Sequence, residues 1–240
     1  MEETTRRQIA DVCVRLHARG WVANHDGNVS VRVGEDRFLA SPTAVSKADV
    51  RPESVILVDG EGKVVSGERK VFSEIALHLA CFRARPEISW VVHAHPPTAT
   101  GWAVAGESFF DPPFMAEPVV SLGGSIPLVT WSPPGGNTDD LAAAVRGSDA
   151  VLLQNHGVIS LGKDAETAFL RMELVEHLAK IALVARQIGG ARPIPREAVE
   201  RLLAARAKAG LNPGSGAIAP VVTEKPDVGE LVREALRRLG

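Results

Sequence analysis

The chain of 240 residues has no tyrosine at all, two cysteines and three methionines, and only 5% of its residues are aromatic. Without a phenol, proton transfer falls to carboxylates and imidazoles. Two cysteines, Cys13 and Cys81, make a disulfide framework an unfavoured reading, and both fall on apolar faces of predicted helices. They read as buried free thiols in a reducing cytosol, so a cytoplasmic location is expected. Long hydrophobic runs are missing, and segments such as residues 151–153 are far too short to span a bilayer. The N-terminal stretch is amphipathic rather than signal-like, so no export is expected. Charge of one sign is also missing. A net charge of −2 gives no electrostatic case for nucleic acid or an anionic membrane. What remains is the make-up of an ordinary globular protein, 45% hydrophobic and 23% charged.

Along the chain, Thr4 or Thr5 is placed to cap a first helix, and Ile9, Val12, Cys13 and Leu16 recur at i, i+3, i+4, i+7. A meander of short strands follows, beginning with the alternating Val29, Val31 and Val33. Ser73 reads as the cap of a second helix, with Glu74 at its first position. A buried strand then ends in His93-Ala94-His95-Pro96. Residues 108–124 read as a loop and 127–131 as a strand. Residues 150–154 form another buried strand ending in Asn155-His156-Gly157, and residues 158–161 continue it. Asp164 caps the longest helix, and a further helix spans 195–210. Residues 1–210 are expected to form one domain. Residues 211–240, a link and a small C-terminal helix over 228–239, are too few to stand alone.

The chemistry centres on the histidines. Strand side chains alternate, so His93 and His95 point the same way. His156 also stands at a strand end, before a glycine that lets the backbone turn tightly. Glu74 sits where a helix dipole favours a carboxylate. Three histidines with an open fourth position suit a catalytic metal, zinc being the first choice and manganese or iron alternatives. A neighbouring glutamate would then act as acid and base. His78, one turn after Glu74, reads as structural, packing or holding the glutamate. His17, His25 and His177 read as plain surface or core residues, with His25 in a loop near the site.

Five segments in register carry a resemblance. They are Asp26-Gly27-Asn28-Val29-Ser30-Val31-Arg32, Ser41-Pro42-Thr43-Ala44, Ser73-Glu74-Ile75-Ala76-Leu77-His78, His93-Ala94-His95-Pro96 and Gln154-Asn155-His156-Gly157. Together, over residues 5–190, they are similar to the class II aldolase/adducin family, which includes L-fuculose-phosphate aldolase. The resemblance implies a three-layer α/β/α fold around a mostly antiparallel sheet, in a homotetramer with active sites at subunit interfaces. It implies His93, His95 and His156 as zinc ligands and Glu74 as acid/base. Gly27, Asn28, Ser41, Thr43, Ala44 and Ser73 would line the pocket for the substrate and its phosphate. The implied reaction is retro-aldol cleavage, or aldol formation, of a small hydroxy-carbonyl or sugar-phosphate through a metal-stabilised enediolate.

The chain departs from the family pattern in places. Ala44 replaces a glycine, Phe72 replaces a serine, and His25-Asp26 stands where Thr-Ser is common. Each change reduces the capacity for phosphate. The family's proton-donating tyrosine is absent, and Glu117 is the candidate replacement. These departures keep a second reading open, a metal-dependent decarboxylase of a hydroxy acid, with Phe72, Trp102, Phe109, Phe110 and Phe114 walling a flat substrate or else filling a subunit interface. A 4-epimerase and a non-catalytic adducin-like module rank lower.

Overall fold

A computed structural model describes residues 2–133, 136 and 138–211. The expected link and C-terminal helix beyond residue 211 lie outside the described residues. Helix α1 runs Glu2–Ala18. It starts ahead of the expected threonine caps, because Glu2 and Glu3 suit the positive end of the helix and pair with Arg6 and Arg7 one turn on. Ile9, Val12, Cys13 and Leu16 are buried, as their spacing predicts.

The strands are β1 (Asn28–Gly34), β2 (Arg37–Ala40), β3 (Ile56–Val58), β4 (Val64–Ser66), β5 (Trp90–Ala94), β6 (Leu128–Val129), β7 (Ala150–Leu153) and β8 (Gly157–Gly162). They form one eight-stranded sheet in the order β4-β3-β2-β1-β5-β8-β7-β6. Every pairing is antiparallel except β6 with β7. The remaining helices are α2 (Ile75–Ala84), α3 (Pro97–Val104), α4 (Ala116–Ser121), α5 (Thr138–Gly147), α6 (Ala165–Gln187) and α7 (Arg196–Lys208).

Helices cover both faces of the sheet, giving the expected three layers. One core holds Trp90, Val92, Ala94 and Val158 against α1, α3, α6 and α7. The other holds Val91, Val151, Ile159 and Leu161 against α2 and α5. Strand alternation therefore turns Asn28, Ser30 and His93 toward α2.

Three local expectations change. Residues 158–161 do not prolong the strand before His156; they return as β8, antiparallel to β7, so His156 occupies the tip of a hairpin. Residues 108–124 contain α4, and the strand expected over 127–131 shrinks to the two residues of β6.

A buried carboxylate ties three helices to the sheet. Asp149, just before β7, pairs with Arg85 at 2.8 Å, with Arg171 at 2.6 Å, and with Arg206 of α7. Arg206 is fully buried, and Val120 O accepts from the same guanidinium.

Candidate active site

His93 belongs to β5 and is 2% exposed. Its Nδ1 bonds Val158 O on β8 at 2.9 Å, which leaves Nε2 facing the site. His95 follows the end of β5, and its main-chain N–H donates to Trp21 O at 2.8 Å. His156 is presented by the β7–β8 turn, in which Asn155 takes a φ of 56°. The glycine beyond it is needed for space rather than for turning. A Cβ on Gly157 would lie 2.5 Å from His95 Cδ2 and 2.6 Å from Ala94 O. The three imidazoles pack edge to face, and one nitrogen from each lies within 4.8 Å of the others.

Glu74 completes the group. Its carboxylate meets His156 Nε2 at 2.6 Å and His93 Nε2 at 3.5 Å, and it accepts from Asn28 Nδ2 at 2.7 Å. Glu74 is not the first helical residue as expected. It is the flanking residue before α2, with φ −89° and ψ 10°, and it makes no capping bond. The carboxylate is thus spared from the helix end and given to the histidines. Burial alone would raise its pKa, but the His156 bond, the electrostatic pull of the nearby His93 and the Asn28 bond outweigh this and hold it well below the usual range.

His93 and His95 shift the other way. Burial pushes His93 down to about 3, against the opposing pull of Glu74. Burial, then His156, lowers His95, with Asp26 and Glu74 opposing. Neutral imidazoles are the form that ligates a metal, so donor type, convergence and protonation all fit a divalent cation. Around the candidate ligands, Val158 O holds His93, and Asp26 Oδ2 lies 3.5 Å from His95 Nδ1, the kind of outer partner that orients a metal-binding histidine.

His78 is fully buried. Its Nδ1 bonds Ser30 Oγ at 2.6 Å, and its ring packs on Phe72 at 4.9 Å. It serves as a pillar between α2 and β1, and its hydrogen bond goes to Ser30 rather than Glu74.

The other expected residues divide. Gly27 has φ 71°, and a Cβ there would lie 2.5 Å from Val22 Cγ1. Asn28 is buried, and its Oδ1 has no partner. Ala44 is exposed with φ 55°, Thr43 is half-buried, and Ser73 lies at the mouth of a cavity of about 310 Å³. Ser41 departs from the pocket-lining expectation: it is fully buried, and its hydroxyl accepts from Val29 N at 3.0 Å. Glu117 is exposed on α4 and lines a separate cavity of about 750 Å³ with Arg19, Trp21 and His177. No residue of the three-histidine group lines that second cavity. The five aromatics do not wall the site either. Phe72, Trp102, Phe109 and Phe110 are buried in the two cores, and Phe114 packs against one of them.

Sequence reasoning overlooked Trp131 and Gln154, which line the first cavity beside Glu74 and His156. Trp131 is 58% exposed, and its main-chain N–H donates to Gln154 Oε1 at 2.9 Å. A tryptophan followed closely by prolines and glycines was the available signal. Also overlooked was Lys47, a lysine only 1% exposed.

Residues 7–183 match the family model for the class II aldolase and adducin N-terminal domain. A 5-deoxy-D-ribulose 1-phosphate aldolase from Bacillus thuringiensis is 30% identical over 202 residues, covering 82% of this chain and 92% of its own. A 3-oxo-tetronate 4-phosphate decarboxylase from Escherichia coli is 30% identical over 199 residues, covering 81% and 91%. Among solved structures, an L-fuculose 1-phosphate aldolase superposes with a TM-score of 0.76 at 25% identity, over 86% of this chain and 96% of its own. Among the described residues, no helix is long and apolar enough to cross a membrane. The chain belongs to the class II aldolase and adducin family, as a metal-dependent carbon–carbon lyase of its aldolase type.

Proposed function

We propose that the protein is a zinc-dependent lyase that cleaves, or forms, a carbon–carbon bond in a small phosphorylated hydroxy-carbonyl compound by aldol chemistry. The observation that carries this reading is the convergence of His93, His95 and His156 on one carboxylate, Glu74. Those three histidines would hold the metal, which when bound supplies Lewis-acid stabilisation of the negative charge that develops on the substrate oxygens. Three imidazoles suit zinc first and also admit manganese or iron.

Glu74 takes the role of acid/base, moving the proton at the substrate carbon. Asn28 fixes its carboxylate by the 2.7 Å bond. Gly27, Asn28, Thr43, Ala44 and Ser73 receive the phosphate, with Ser41 holding β1 in place beneath them. The phosphate assignment is supported by the names of both relatives, each of which contains a phosphate ester. Phe72 is turned into the core and so does not occupy the phosphate seat.

A homotetramer fits this reading. Exposed Leu170, Leu183, Val184 and Ile188 on and just after α6 offer apolar surface for a neighbouring subunit. Glu117 would reach an active site only from such a neighbour. Residues 1–210 act as one domain, and the two free, buried cysteines favour a cytoplasmic setting.

A second reading, decarboxylation of a hydroxy or oxo acid, is favoured by one observation. Among the described residues, Glu74 is the only carboxylate in contact with the histidine nitrogens that face one another, and the chain has no tyrosine. Loss of carbon dioxide leaves a carbanion that takes one proton, drawn from water and relayed by Glu74, and no substrate hydroxyl proton has to be removed, so a single carboxylate suffices. The test is to incubate zinc-loaded protein with ketose 1-phosphates and with 3-oxo acid phosphates. A triose phosphate plus an aldehyde supports the aldol reading, and carbon dioxide supports the second. Neither product from protein carrying one metal per chain would sink both.

A further inference from the structure

The chain buries a lysine where two substrate loops meet. Lys47 begins a short turn of 3-10 helix, residues Lys47–Asp49, packed against α1. Its Nζ donates to His25 O at 3.0 Å and to Val45 O at 3.2 Å. One carbonyl comes from the loop that delivers Gly27 and Asn28, and the other from the loop that carries Thr43 and Ala44. Both loops contain residues in the left-handed region, Asn24 at 49°, Gly27 at 71° and Ala44 at 55°. Asn tolerates this conformation and alanine much less, so the loops require outside support.

The charge also matters. An ammonium buried without a counter-ion is costly, and carbonyl bonds alone do not neutralise it. Among the described residues no carboxylate pairs with Lys47. Asp26 and Glu74 feel its field, but their carboxylates lie against the histidines and neither contacts the Lys47 ammonium. Burial accordingly lowers the Lys47 pKa, with Cys13, Asp26 and Glu74 opposing. A positive charge held behind two loops and left without an anion fits an anion brought in by the substrate.

We infer that Lys47 is a positioning residue that gives the pocket its preference for a phosphate-bearing substrate, by clamping the two loops and by supplying the buried positive charge behind them. This rests on the phosphate reading above. It also explains how the chain keeps a phosphate seat despite Ala44 and Asp26, two changes that each weaken one.

The test is calorimetric titration of zinc-loaded protein with phosphoglycolohydroxamate and with unphosphorylated glycolohydroxamate. Wild type should bind the phosphorylated compound more tightly by about tenfold or more. Lys47→Met should lose about tenfold of that preference while binding glycolohydroxamate nearly as before. Lys47→Arg should restore most of it, and Lys47→Gln serves if the methionine variant folds poorly. Equal losses for both compounds would make Lys47 merely structural and overturn the inference, as would a preference unchanged in Lys47→Met. A wild type that binds both compounds equally would instead remove the phosphate reading itself, and Lys47's role with it.

Discussion

Asn28 and His93 stand directly opposite each other on neighbouring strands, and both side chains reach the same oxygen of Glu74. The antiparallel register of β1 and β5 thus sets the geometry of the proposed acid/base. A shift of one residue in either strand would turn one of the two side chains to the other face of the sheet.

Glu74→Gln should keep the metal and lose most of the turnover, on the order of 10²–10⁴-fold. Metal analysis beside a steady-state rate checks this. Turnover at the wild-type level would remove Glu74 from the mechanism.

His95→Ala should abolish metal binding and turnover and leave a folded protein, because His95 is half-buried at a strand end rather than central to a core. Retained metal stoichiometry would contradict its role as a ligand.

Gly157→Ala should weaken the metal site without replacing a ligand. The added methyl lies 2.5 Å from His95 Cδ2, 2.6 Å from Ala94 O and 3.2 Å from His93 Cε1, so the His95 ring and the end of β5 or the hairpin must shift apart. A loss of metal affinity of about 10–100-fold is expected, comparable to removing an outer-shell partner. Competition with a chromogenic chelator measures it, and unchanged affinity would show that the hairpin yields instead.

Asp149→Asn should destabilise the fold by about 3–5 kcal/mol, because it leaves the buried guanidinium groups of Arg85, Arg171 and Arg206 without their common counter-charge. Chemical denaturation reads this directly. A change under 1 kcal/mol would mean that the carbonyl bonds of the three arginines carry the load.

Acid should weaken the protein through His78. Burial pushes its pKa down from 6.5 to about 4, with Glu74 opposing. Below pH 6.5 the unfolded chain accepts a proton that the folded chain refuses. Stability therefore falls as pH drops from 6.5 to about 4, by at most about 3 kcal/mol from this residue, and levels off below. His78→Gln should flatten that part of the stability profile. An identical slope in wild type and variant would exclude His78 as its source.

The parts of the site readable from sequence are those that depend on local periodicity. His93 and His95 face one way because strands alternate, and β5 obeys that rule. The hairpin at His156 was not readable. Residues 150–153 and 158–161 are both apolar because both sheet faces are covered, so they look like one interrupted strand. Its turn is made by Asn155 at positive φ, without a conventional turn pair. The dipole argument brought Glu74 to the right helix end, but only the packing of α2 on β1 decides what the carboxylate faces. Lys47 was invisible for a similar reason: a lysine between loops reads as solvated, and its burial comes from packing against α1, which ends at Ala18, far earlier in the chain. The aromatics failed differently. Composition gathered Phe72, Trp102 and Phe110 around a pocket, whereas each is needed to fill a core.

The sheet order places β5 between β1 and β8, strands from opposite ends of the described chain. The histidines, Glu74 and Asn28 therefore come from segments spread from residue 28 to residue 156, and no single supersecondary unit holds them all. During synthesis, a chain that has emerged only as far as β7 would own two of the three proposed ligands, His93 and His95. If the three histidines hold a metal as proposed, high-affinity uptake would become possible only once the hairpin has closed onto β5, and the cation would then be retained only by chains that have assembled correctly.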